Sequence, residues 1–431
     1  MMSAMRDQGG ISEIRQRPAR TALALAIALM TLVIAGQAVR AQTFSVLYSF
    51  TGKHGDVSPA GLVRNSAGNF YGTSSSGGGG AGTVVEIALR KDGEWKETVL
   101  YSFAGAPDAA FPEGTLVLDA AGTLYGTSVG GGIPNAGTVY KLTKTGKETV
   151  LYSFCSVANC ADGAFPNGGL VRDAAGNLYG TTSLGGNAGE CCGTVFKVDP
   201  AGNETVLYSF CSVANCADGS FPIGGGNFFL NETLVRDAAG NLYGTTPNGG
   251  GGLGCGDLGC GTVFKVDPTG KETVLYSFCS VANCTDGSHP GVGLIQDAAG
   301  NLYGTTTDGG EHLHYGTVFK VDPNGQETVL HSFPGHASGE VYPSALVLDA
   351  AGNLYGTTEV GGNLHQGSVF EVTASGRKRT LYSFKAGTDG GLPFGLVEDA
   401  AGNLYGTTGL GGNLDDCNGS GCGTFFELTP N

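Results

Sequence analysis

Charge is scarce in this chain. Only 14% of its 431 residues are Asp, Glu, Lys or Arg, while 41% are hydrophobic; disordered chains show the opposite balance. Tryptophan occurs once, at Trp95, in what reads as an extended turn. No useful stretch beyond the N-terminus repeats apolar residues with the helical period, which excludes a helical fold. The Gly-x-Ser-x-Gly match at 126–130 belongs to one copy of a repeated strand phrase and is not an elbow before a helix, and there is no P-loop and no HExxH, so none of the chemistries those motifs carry is indicated. The 77 glycines do not fall at every third residue, which excludes collagen. Bases number 23 against 38 acids, a net charge of −15, which argues against nucleic acid and anionic lipid as partners.

One long apolar run exists, the 16 residues 21–36. Arg6, Arg15, Arg17 and Arg20 precede it, and Val39-Arg40-Ala41 follows. A basic start, a short apolar centre and small residues before a cut make 1–41 a secretory signal peptide. The run falls short of the ~20 residues of a membrane span, although an uncleaved N-terminal anchor is the alternative. The expected mature domain is 42–431, without a membrane span. The first cysteine is Cys155, so no lipoprotein anchor is expected near the cut.

Three phrases then recur seven times each. DAAGNLYGTT places its tyrosine at Tyr71, Tyr125, Tyr179, Tyr243, Tyr303, Tyr355 and Tyr405, 50 to 64 residues apart. GTVFKV begins at Gly82, Gly137, Gly193, Gly261, Gly316, Gly367 and Gly423. VLYSF carries Tyr48, Tyr101, Tyr152, Tyr208, Tyr276, His331 and Tyr382. Each unit reads as four short strands rich in Val, Tyr, Phe and Thr, joined by tight Asp-Ala-Ala-Gly and Asp-Pro-x-Gly turns. Four strands per unit of this length are a β-propeller blade. The predicted fold is all-β, a seven-bladed propeller. Residues 44–50 form a lone fourth strand and the chain stops after a third strand at 423–428, so the N-terminal strand can complete the last blade and close the ring. A linear β-solenoid is the competing architecture.

The GNLYGTT and GTVFK segments, such as 176–182 and 193–197, resemble the GloVer tandem-repeat family, also called choice-of-anchor tandem-repeat proteins. The resemblance covers nearly all of 42–431 and implies export, often with a C-terminal surface anchor. Nothing follows Asn431, so a soluble exported protein, periplasmic or extracellular, is the expectation. The Asp-x-x-Gly-Asn-Leu-Tyr hairpin is also similar to those of NHL and gluconolactonase-type propellers.

Strand direction alternates across a blade, so the short Asp turns share one face. The long, variable loops share the other and carry all twelve cysteines, which makes it the candidate functional face. Five pairs are C-x4-C: Cys155/Cys160, Cys211/Cys216, Cys255/Cys260, Cys279/Cys284 and Cys417/Cys422; the sixth is adjacent, Cys191-Cys192. Even numbers in an exported chain read as disulfides. Zinc is the competing reading, without C-x2-C spacing or interleaved histidine to favour it.

Each crossover into a new blade sets an acid before a proline: Asp56, Asp108, Asp162, Asp218, Asp286, Glu340 and Asp389. Such a ring offers Ca²⁺ or a polyhydroxylated ligand oxygen donors, but turn capping by Asp explains the periodicity by itself. Residues peculiar to single blades are better candidates. His312, His314 and Glu311 sit in one loop of the fifth blade, and His365 matches His314 in the sixth, a set able to hold a metal or move a proton. Phe228 and Phe229 lie in an insertion before the fourth blade and suit a binding lip. The functional expectation is a monomeric binding module for an envelope protein or glycan, with no required cofactor. The alternative is a propeller enzyme, a lyase, lactonase or glycosidase with acids at the channel mouth; a structural surface-layer component is a third reading.

Overall fold

The computed structural model of the chain describes residues 42–430 apart from 53–59, 188–191, 223–232, 253, 292, 312–314 and 336–340. Seven antiparallel sheets are arranged as a seven-bladed propeller; each runs four strands outward from the axis, in sequence order in blades 1 to 6. The first strand of blade 5 is split into Ser288–Pro290 and Ile295–Gln296, and a two-stranded ribbon of Ala109–Ala110 with Gly130–Gly131 lies apart from the blades. Blade 3 is representative: Val171–Arg172, Leu178–Thr182, Thr194–Val198 and Glu204–Ser209. The last blade is the composite one. Thr43–Ser49 pairs antiparallel with Thr424–Thr429, so the first strand of the chain is the outermost strand of blade 7. The closure expected from the sequence is therefore present, and it removes an open sheet edge.

The recurring phrases have separate structural jobs. In blade 3 Asp173 accepts bonds from the Asn177 backbone N–H (2.9 Å), the Asn177 side-chain amide (2.7 Å) and the Tyr179 hydroxyl (3.0 Å), fixing the first hairpin. Gly180 leaves room for the Phe196 ring, which any Cβ there would strike. Thr182 and Thr194 share a buried hydroxyl–hydroxyl bond of 2.9 Å between the second and third strands. The terminal phenylalanine of each outer strand enters the next blade: Phe154 meets Phe196 edge-on at 4.9 Å, Phe210 meets Phe264 at 5.0 Å and Phe278 meets Phe319 at 5.0 Å. The core is thus seven similar clusters between blades rather than one central mass.

Crossover prolines pack on the glycines that open the preceding blade's third strand. Pro112 lies against Gly82, Pro166 against Gly137 and Pro222 against Gly193, and a Cβ on any of these glycines would overlap the proline ring. Trp95 is not in a turn: it begins the outer strand Trp95–Ser102 of blade 1 and packs on Phe70 and Phe425. The strand begins two residues earlier than its sisters, with Lys96 paired to Ala88 and Trp95 to Leu89.

Candidate functional site

The first strands of the blades surround a central cavity of about 190 Å³, lined by Gly, Leu, Ile, Thr, Ser, Ala and Phe residues such as Leu62, Thr115, Leu294 and Phe394. No titratable side chain lines it among the described residues. Glu113 directly follows Pro112 at the entry to blade 2, and burial pushes its carboxyl up to about 7. Glu359, near the end of the second strand of blade 6, is likewise raised by burial. Neither position holds an acid in the sister blades. The sequence reading passed over both because they stand next to repeated phrases.

The crossover acids act on the crossovers. Asp108, Asp162, Asp218, Asp286 and Asp389 each accept the hydroxyl of the tyrosine on the outer strand before them, at 2.7 to 3.0 Å. Each also accepts a backbone N–H of its own loop, from Ala104, Ser156, Ser212, Ser280 and Lys385 respectively. This is the capping role. Asp56 and Glu340 lie outside the described residues.

The loop face carries a second periodic feature. In the six described crossovers the residue just before the proline has a left-handed backbone: Phe111 (φ 55°), Phe165 (57°), Phe221 (51°), His289 (53°), Tyr342 (56°) and Leu392 (53°). Bulky residues rarely adopt that region. The compensation is a backbone bond from that residue to the preceding blade: Phe111 to Ala81 (2.8 Å), Phe165 to Ala136 (2.7 Å), Phe221 to Cys192 (2.9 Å) and His289 to Cys260 (2.8 Å). The side chains turn outward, leaving Phe111 45%, Phe165 36% and Tyr342 39% exposed. Tyr342 and Leu392 lie within the inner strands of blades 6 and 7, Val341–Leu348 and Gly391–Glu398, and Phe111 and Phe165 stand six residues before those of blades 2 and 3, Val117–Leu118 and Val171–Arg172. A large side chain preceding proline in six of seven crossovers is the signal that would have revealed this ring.

Among the described residues five disulfides are formed, Cys155–Cys160, Cys211–Cys216, Cys255–Cys260, Cys279–Cys284 and Cys417–Cys422, as their spacing predicts. They mark a chain suited to an oxidising compartment. Cys192 is buried, and Cys191 lies outside the described residues. Two of the bridges wall a cleft of about 900 Å³ between blades 4 and 5, together with Ser280, Asn283, His289 and Asp308. His289 Nδ1 stands 3.5 Å from Asp308 Oδ2. No sister blade holds histidine or aspartate at either position, so blade 5 departs from the repeat twice at points that touch. Neither residue was among those expected from the sequence.

Of the expected site residues, Glu311 and His365 are exposed on the loop face, and neither joins a group of three ligating side chains among the described residues. His312, His314, Phe228 and Phe229 lie outside the described residues. No described helix is long and apolar enough to cross a membrane.

The model of the Gloeobacter/Verrucomicrobia repeat family matches residues 36–251 and 230–431, and the chain belongs to that family. No curated protein matches. Among solved structures the chain is similar to a catalytically inactive virginiamycin B lyase from Staphylococcus aureus with quinupristin, at TM-score 0.57 and 15% identity over 90% of this chain and 100% of that one. It is also similar to the extracellular domains of a hybrid two-component system (TM-score 0.52, 11% identity) and a one-component system (0.53, 15%) from B. thetaiotaomicron. Those matches take in 91% and 90% of this chain and 42% of each of theirs. At such identities the likeness is one of fold.

Proposed function

We propose that this member of the Gloeobacter/Verrucomicrobia repeat family is an exported binding module that captures an envelope glycan on its loop face, in the periplasm or outside the cell. The observation that carries the reading is the ring of outward side chains before the crossover prolines, with Phe111, Phe165 and Tyr342 more than a third exposed. Rigid aromatic side chains with a wet rim supply large contact area at little entropic cost, and flat rings stack on the apolar faces of sugars. The wide cleft beside His289 and Asp308 adds polar groups at the same face. Ca²⁺ is left out of the reading, because the described crossover aspartates are turned to tyrosine hydroxyls and loop N–H groups.

A second reading has one observation in its favour. Glu113, two residues before the channel-lining Thr115, and Glu359 are raised by burial, which is the condition for a general acid at neutral pH. The two readings separate in one experiment. Residues 42–431 are incubated with envelope polysaccharides and envelope fractions, and both co-sedimentation and soluble products are measured. Retention on polysaccharide without products, weakened about tenfold or more by Phe111→Ala, Phe165→Ala and Tyr342→Ala together, is the expected result. Product release abolished by Glu113→Gln or Glu359→Gln replaces it with a lyase, lactonase or glycosidase. Retention only on protein-bearing fractions assigns an envelope protein as the partner and overturns the glycan.

A further inference from the structure

We infer that the four cysteines at the rim between blades 4 and 5 become, on reduction, a tetrathiolate site for a soft divalent metal ion such as Zn²⁺. The sulfur positions carry this. Cys255–Cys260 belongs to the loop between the second and third strands of blade 4, and Cys279–Cys284 to the crossover that leaves it. Although separate in sequence, all four Sγ atoms lie within 4.8 Å of one another. A tetrahedral site with metal–sulfur bonds of about 2.3 Å holds its sulfurs about 3.8 Å apart, so after reduction the two loops close by about an ångström while the sulfurs of each former bridge part to that same spacing. Gly254 permits the approach: a Cβ there would overlap the sulfurs of both Cys279 and Cys284. Two C-x4-C loops that meet provide the paired ligand loops that neither loop provides alone.

Access is built in. Cys255 and Cys284 are half-buried and line the 900 Å³ cleft, while Cys260 is fully buried and Cys279 nearly so. A dithiol or phosphine reductant enters there. Each bridge takes up two electrons and two protons to give two thiols, and the reductant is oxidised to its disulfide or phosphine oxide. A divalent ion then displaces the four thiol protons and is held by four thiolates. Blade 3 holds a three-sulfur counterpart: Cys192, Cys211 and Cys216 lie within the same 4.8 Å of one another. Cys155–Cys160 and Cys417–Cys422 have no second pair in such a cluster among the described residues and serve as internal controls. The inference does not rest on glycan binding.

The test uses 42–431, oxidised or reduced anaerobically with a phosphine, and titrated with Co²⁺. The oxidised chain is expected to bind none. The reduced chain is expected to bind at least one equivalent with sulfur-to-cobalt charge-transfer absorption, its strand circular dichroism retained. Cys279→Ser with Cys284→Ser removes one equivalent; Cys155→Ser with Cys160→Ser removes none. Gly254→Val, which keeps every cysteine, also loses one. The inference fails if all thiols titrate but no charge-transfer band forms. It fails too if the Cys279/Cys284 variant binds as much cobalt as the parent, or if reduction abolishes the strand signal and Co²⁺ does not restore it.

Discussion

Asp162 is 2% exposed and takes the Tyr152 hydroxyl at 2.7 Å, the Ser156 N–H at 2.9 Å and the Ser156 hydroxyl at 2.9 Å. Asp162→Ala leaves those donors without their acceptor, which is expected to lower stability by about 1–3 kcal/mol in chemical denaturation; a smaller loss than 0.5 kcal/mol would reduce the aspartate to a spectator. A second acid faces the same space. Glu148, Glu204, Glu272 and Glu327 begin the outer strands of blades 2 to 5. Burial, and then the crossover aspartate beside each, push Glu148 and Glu272 up to about 7 and Glu204 and Glu327 up to about 8. The unfolded groups titrate near 4.3. Between those values the folded state keeps protons that the unfolded state has released, so rising pH favours unfolding. Their contribution is fully present below about 4.3 and lost as pH passes 7 to 8. The hairpin aspartates work the other way: for Asp173, partial burial opposes but is outweighed by bonds from Asn177 and Tyr179, which hold the carboxyl below its usual range, so that stability is lost in acid. The melting temperature should therefore peak in mildly acidic solution and fall by several degrees towards pH 8. The four Glu→Gln changes together should flatten that fall, and a parent protein with a level profile from pH 5 to 8 would contradict the assignment.

The element with the largest consequence is the closing strand, Thr43–Ser49. Its Phe44 ring stacks on Tyr382 at 3.7 Å and meets Phe384 and Phe426 at 5.7 and 5.6 Å, joining blade 7 to blade 6. Phe44 occupies the place that holds glutamate in blades 1 to 5 and Lys378 in blade 6, so the seam substitutes apolar packing for a buried acid. Phe44→Ala should cost about 2 kcal/mol, less than a fully enclosed ring because Phe44 is half-buried. A chain starting at residue 50 would leave Thr424–Thr429 as an open edge. Size-exclusion chromatography should then show self-association, reversed by adding the 43–49 peptide in trans; a monomeric truncated chain would mean that the strand is dispensable for closure.

At the scale of the molecule, seven copies of three phrases made the ring and its closure legible, since each phrase carries its own hairpin, hydroxyl pair or interblade phenylalanine. Contacts between copies were not legible. The meeting of two C-x4-C loops, the left-handed residues stitched to the preceding blade and the pairing of His289 with Asp308 all join segments whose separation in sequence hides their proximity. The same symmetry says how fold and site divide. A residue present in every blade is explained by the blade, whereas one that departs from its sisters is released from that duty. Blade 5 departs at His289, where blade 4 has Phe221, and at Asp308, where blade 4 has Asn248. Converting blade 5 with His289→Phe and Asp308→Asn should leave the melting temperature within about a degree, as surface changes compatible with a sister blade do. Glycan retention should weaken about tenfold if this cleft contributes to it. The matched change at a repeated position, Asp297→Ala, removes the acceptor for Asn301 and Tyr303; it should lower the melting temperature and leave retention by the folded fraction intact. The opposite pattern, binding lost with Asp297 and kept without His289 and Asp308, would place the ligand on the repeated scaffold instead of on blade 5.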